Sequence, residues 1–128
     1  MMIKTAKTVF LGLLFCLPFS LMAQTATVVG DWKTQIPDNT GKLAPVKLSM
    51  KSDGTFTVDL GLDGTSDIAG KYTIEGEQIT IVESVGNCTD KKGIYKIVVT
   101  ATTFNMNRVS DECENRGGPE GKMAFTKM

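Results

Sequence analysis

The feature that most constrains this chain is an alternation with a period of two. Val46, Leu48 and Met50 alternate with Lys47, Ser49 and Lys51; Ser52-Asp53-Gly54 interrupts; then Phe56, Val58 and Leu60 alternate with Thr55, Thr57 and Asp59. Successive side chains of an extended strand point to opposite faces, so each run carries one apolar and one polar face. Gly54 can take a positive φ without strain, so the two runs read as a hairpin. The device recurs along the chain. Tyr72 and Ile74 alternate with Lys71, Thr73 and Glu75, and Glu75-Gly76-Glu77 turns into Ile79 and Ile81 among Gln78, Thr80 and Val82. Tyr95, Ile97 and Val99 follow, with Ile94 and Val98 making the opposite face apolar too. A short turn at Thr100-Ala101-Thr102 leads to Phe104 and Met106 among Asn105 and Asn107, and Met123 and Phe125 close the series. Val28 to Thr34, which carries Trp32, is the first strand. No segment beyond residue 24 sustains a helical period.

Eight strands joined mostly by short connections imply antiparallel neighbours. An open meander of that size would leave two edges and one apolar face bare. Closure into an up-and-down barrel removes all three exposures, so the expected fold is all-β, an eight-stranded antiparallel barrel. A sandwich is the alternative, but it usually needs longer crossovers. Two loops are long: the one holding Cys88, and Ser110 to Glu120, which holds Cys113. In a meander both open at the same end.

Residues 1–23 have the layout of a signal peptide. Lys4 and Lys7 precede an apolar stretch from Val9 to Leu21, and Ala23 offers a small residue for cleavage before Gln24. The stretch falls short of the roughly 20 residues that span a bilayer, so no stable membrane anchor is expected. Cys16 lies within the apolar stretch behind Phe15, which does not suit lipidation. The domain is therefore residues 24–128 of an exported protein, periplasmic or secreted and of bacterial type. Cleavage leaves two cysteines, Cys88 and Cys113. An even pair in a small exported domain reads as a disulfide.

Composition excludes several chemistries. The chain has no histidine, which removes Ser-His-Asp and Cys-His nucleophile systems and His-ligated zinc or haem. Its 14 basic and 14 acidic residues balance, so no nucleic-acid partner is expected. Asp59, Asp63 and Asp67 surround Gly61 and Gly64, and Asp111, Glu112, Glu114 and Glu120 share the last loop. Neither group has EF-hand spacing, and both read as solvated turns, so no metal and no cofactor are expected. No acidic residue sits clearly on an apolar face, where burial would raise its pKa for general acid work. The chain is expected to be non-catalytic.

Several motifs in order resemble small secreted bacterial lipocalin-like (calycin) domains. They are Gly30-Asp31-Trp32, Asp53-Gly54-Thr55-Phe56, Gly70-Lys71-Tyr72, Cys88, Gly93-Ile94-Tyr95, and Val109-Ser110-Asp111-Glu112-Cys113 with Arg116. The resemblance implies that Trp32 closes the barrel floor with a basic residue stacked on it, for which Arg116 is the candidate, and that the interior takes a small hydrophobic ligand. The expected cup lining is Met50, Phe56, Val58, Tyr72, Tyr95, Ile97, Phe104 and Met106, beside Val46 and Leu48. Arg108, which shares the face of Phe104 and Met106, and Arg116 would anchor a ligand carboxylate; the spacing of Arg116 also suits an ion pair with Asp111. Eight strands enclose room for side chains or one small guest. The alternative is a barrel filled by Trp32, Phe56, Tyr72, Tyr95, Phe104 and Phe125, working through its loops as a protein-interaction or inhibitor module with a partner still to be identified. The two readings differ in whether the interior is empty.

Overall fold

The computed structural model describes residues 27–128. Eight strands follow in order: β1 (Gly30–Pro37), β2 (Leu43–Met50), β3 (Thr55–Leu60), β4 (Ile68–Glu75), β5 (Gln78–Val85), β6 (Lys92–Val99), β7 (Thr103–Asp111) and β8 (Lys122–Lys127). Each pairs antiparallel with its successor, and β8 returns to β1, so the sheet closes into a barrel in simple sequence order. Each expected strand appears, and the sandwich alternative is set aside. The signal-peptide features, Cys16 among them, lie outside the described residues.

The connections divide by length. Turns β2–β3, β4–β5 and β6–β7 are tight, and Gly54 and Gly76 take positive φ of 88° and 62° in the first two. The connections β1–β2, β3–β4, β5–β6 and β7–β8 share the opposite end, and the last three are longer. The barrel therefore has a short-turn end and a long-loop end.

Trp32 seals the short-turn end. Its ring is buried edge-on against Phe104, with centroids 5.3 Å apart, and its Nε1 donates to the carbonyl of Val28 at 2.9 Å. Val28 precedes β1 yet is buried, because it lies across that end and caps the ring from below. Phe125 packs on Phe104 at 5.8 Å, and Leu48, Met50, Phe56, Ile79, Ile81, Tyr95, Ile97 and Met106 complete one contiguous buried cluster.

Two strands run further than the alternation suggests. β5 continues past Val82 to Val85, and β7 continues through Ser110 to Asp111, into what reads from sequence as loop. Register shifts between Ala69 and Gly70, and between Ile94 and Tyr95, bend the wall there. Cys88 and Cys113 form the expected disulfide, with Cα atoms 5.7 Å apart, linking the β5–β6 and β7–β8 loops.

Closing a loop of sequence separation 25 covalently stabilises a fold by roughly 3 kcal/mol on chain-entropy reasoning. Replacing both Cys88 and Cys113 by Ser is expected to lower the urea-unfolding free energy by about that amount while the far-ultraviolet circular dichroism stays that of a barrel.

Candidate functional site

The structure gathers the expected cup lining into the core. Met50, Phe56, Tyr72, Ile97 and Met106 are buried, Tyr95 and Phe104 have no exposure, and Val58 packs against them half-buried. Their neighbours are one another and the rings of Trp32 and Phe125. They occupy the middle of the barrel.

Above this core, at the long-loop end, lies a buried ionic cluster. Arg116 reaches inward from the β7–β8 loop and sets its Nε 3.3 Å from Asp111 Oδ2 and 3.7 Å from Glu83 Oε2. Side-chain exposure is 8% for Arg116, 1% for Asp111 and 6% for Glu83, so all three charges are out of water. The Tyr95 hydroxyl donates to Asp111 Oδ2, and the carbonyl of Arg116 lies 3.2 Å from the same hydroxyl oxygen. Burial first, and then the Asp111 hydrogen bond, push the Tyr95 phenol up to about 12. Arg108 Nη2 donates to the carbonyls of Arg116 and Gly118 at 2.6 and 2.7 Å, and Arg116 Nη2 to that of Lys91 at 2.8 Å.

The disulfide is wired into the same cluster. The amide of Cys88 donates to Glu83 Oε1 at 3.1 Å, and that of Cys113 to Asp111 Oδ1 at 2.8 Å. Two glycines let the backbone come this close. A Cβ on Gly93 would stand 2.7 Å from Asp111 Oδ2, and one on Gly121, whose φ is +69°, would stand 2.7 Å from Arg108 Cβ.

Several expectations about this region are corrected. Arg108 spends Nη2 on loop carbonyls, and Arg116 spends Nη2 on a loop carbonyl and sets Nε beside the carboxylates at the ends of β5 and β7, while Arg108 Nε and Arg116 Nη1 keep no hydrogen-bond partner. Arg116 pairs with Asp111 as its spacing allows, but through a single nitrogen and shared with Glu83. It does not stack on Trp32, which lies at the other end. Lys127 takes that place, with Nζ 4.6 Å from the ring centroid. The statement that no acid sits on an apolar face also fails. Glu83 continues the inward series of Ile79 and Ile81, and Asp111 ends β7 with its carboxylate buried. Extending the β5 parity by two positions would have found Glu83; Asp111 could not be found that way, because the alternation breaks at Val109.

Asp59, Asp63 and Asp67 bring carboxylate oxygens within 4.8 Å of one another in the β3–β4 loop. Those oxygens serve the loop. Asp59 accepts from the amides of Asp63 and Gly64, Asp63 from Thr65, and Asp67 from Leu60. Hydrogen bonds from Thr65 hold the Asp63 carboxyl below its usual range.

A surface groove of about 510 Å³ is lined by Lys33, Thr34, Gln35, Leu43, Pro45, Leu62 and Thr126. It runs over the outer face of β1 and β2, and Leu43 and Leu62 stand exposed in it. None of these residues belongs to the expected cup. Among the described residues no helix is long and apolar enough to cross a membrane. Compared with known proteins, the chain matches no family model and no curated sequence; its closed eight-stranded antiparallel architecture is consistent with a calycin-like fold.

Two outcomes follow from the cluster. Arg116→Met leaves Asp111 and Glu83 buried without their cation, and urea unfolding at neutral pH is expected to show a loss of about 3–5 kcal/mol. The folded chain also holds the Tyr95 proton more tightly than the unfolded chain, whose phenol titrates near 10. The stability this contributes is complete below pH ~10 and lost as pH rises toward ~12. Unfolding curves across that window should steepen for the wild type and flatten for Tyr95→Phe.

Proposed function

We propose that this chain is a non-catalytic, exported, lipocalin-like barrel that works as a protein-interaction module through its long-loop end. The observation that carries this reading is the filled interior: Trp32, Tyr95, Phe104 and Phe125 stand where a guest would have to sit, within one continuous core. A filled barrel has its surface left to work with. The long-loop end supplies a braced one, because the disulfide and the Glu83–Arg116–Asp111 cluster hold two of its loops while apolar side chains stand exposed in the groove. Preorganised loops lose little freedom on binding, which favours recognition by surface.

Support for the absence of catalysis is chemical. Glu83 and Asp111 are the buried acids, and both are committed to Arg116 and to backbone amides rather than facing a substrate. Support for export is the disulfide, which persists in oxidising compartments, together with the reading of residues 1–23.

A second reading keeps the small hydrophobic ligand but moves it to the groove. Its volume falls within the roughly 300–1,000 Å³ of small-molecule sites, and Leu43, Pro45 and Leu62 give it an apolar patch. The groove is open along its length, whereas such sites usually bury most of the ligand. An open groove suits a protein surface better.

One experiment separates the readings. A photo-crosslinking amino acid is placed at Leu62, in the groove, and at Thr73, exposed on the outer face of β4. Each variant is irradiated in its own export compartment, and the native mass of the recovered wild-type protein is compared with its denatured mass. The expected result is an adduct of protein size from Leu62 alone, and equal masses. A native mass larger by a few hundred daltons, without a protein adduct, would replace the interaction reading with the small-ligand one.

A further inference from the structure

The barrel closes by its shortest ladder along one seam. β1 pairs with β2 over eight residues, from Gly30↔Met50 to Pro37↔Leu43, but with β8 only at Trp32↔Lys127 and Lys33↔Thr126. β8 in turn pairs with β7 from Thr126 back to Lys122. Beyond Lys33, therefore, Thr34–Pro37 and Lys122–Phe125 face one another with no ladder between them. In the continued register Gln35 would lie opposite Ala124, and Ile36 opposite Met123.

The parity of the neighbouring bonds says which backbone groups this leaves free. Met128 N donates to Asp31 O, so the odd-numbered residues of β1 aim their amides and carbonyls at β8. Lys127 N donates to Thr102 O, so the odd-numbered residues of β8 serve β7 and the even-numbered ones serve β1. The N–H and C=O of Gln35 and of Ala124 thus point into the seam, and no described residue pairs with them through the ladder. The same alternation on β2 turns Pro45, which stands beside Gln35, away from β1: its carbonyl accepts from Gly61 on the side of β3. Two open strand edges that face each other are a template for an added strand.

The side chains along the seam specify what would fit. On the inner side stand Ile36, which points inward yet is 42% exposed, and Met123, which packs on the core. On the outer side stand Lys33 and Lys122, one on each strand, and among the described residues neither makes an ion pair. Asp31, the acid on the same outer face of β1, is already drawn to Lys47 at 3.9 Å. The groove opens directly onto this edge at Lys33, Gln35 and Thr126.

We infer that the seam between β1 and β8 receives an extended segment of a partner protein, apolar on its inward face and acidic on its outward face, by strand addition. This rests on the interaction-module reading and names the kind of partner. The added strand pairs its backbone with Gln35 and Ala124, sets apolar side chains on Ile36 and Met123, and places carboxylates between Lys33 and Lys122.

The test uses the disulfide-intact exported protein with a fluorescein-labelled peptide of alternating glutamate and valine, its lysine–valine counterpart, and a glutamate–valine peptide broken by a central proline. Anisotropy is expected to show the acidic peptide binding at least about tenfold more tightly than either control. Hydrogen exchange at the Gln35 and Ala124 amides should slow about tenfold in its presence. Gln35→Pro removes the seam donor without removing a β1–β2 bond and should abolish the peptide's advantage. Lys33→Glu combined with Lys122→Glu, a surface change, should reverse the preference toward the lysine peptide. Equal binding of the acidic and lysine peptides, or unchanged exchange at Gln35 and Ala124, overturns the proposal. If the protein adduct at Leu62 persists in Gln35→Pro while the peptide leaves the seam unprotected, the strand-addition proposal falls and the interaction module stands. Loss of the Leu62 adduct from the wild type itself removes the interaction reading.

Discussion

Eight one-sided strands can hide their apolar faces only by closing on themselves, and the rest of this structure follows from that closure. Closure requires β8 to meet β1, and here that junction is made by two residue pairs next to Trp32. The indole is the reason that so short a junction holds. Trp32 is buried against Phe104, bonded to Val28 and covered by Lys127 from β8, so the floor of the barrel fastens the first strand to the last. Burial of an aromatic of this size dominates local energetics, and the backbone ladder adds to it. Away from the floor the two strands share no ladder pairs.

The opposite end is organised by charge. Burying Arg116, Asp111 and Glu83 is expensive unless each is paired and bonded; β6 supplies a bond from Tyr95, and the loops supply bonds from the amides of Cys88 and Cys113. Arg116 still keeps Nε and Nη1 without a geometric hydrogen bond. A cluster of that kind adds less net stability than its contacts suggest, but it admits one arrangement of the two loops. The disulfide holds them close enough for the cluster to form. One half of the long-loop end is thereby braced, while the half built from the β1–β2 and β3–β4 connections carries the exposed apolar residues of the groove.

The strands and the cluster differ in how far they can be read from the chain. A strand such as Thr55–Leu60 is legible because its period-two pattern and its turn lie within a few residues of one another. The inward rings were legible for the same reason, and they prove to be core. Glu83 was missed because a charged residue at an inward position looks like the end of a strand; only a distant arginine makes it tolerable there. Arg116 and Lys127 changed places relative to the lipocalin pattern, since nothing local distinguishes a lysine that reaches an indole from an arginine that reaches a carboxylate.

The sequence by itself determined the period of the strands, the positions of the turns, the pair of cysteines and hence an all-β closed domain. These are local properties, set by side-chain alternation and by glycine's access to positive φ. Tertiary structure alone decided where the charges go, which basic residue covers Trp32, and how far β1 and β8 stay together. Each depends on groups far apart in the chain, and the energy of a buried ion pair or an unpaired strand edge exists only once the fold has brought them into one place.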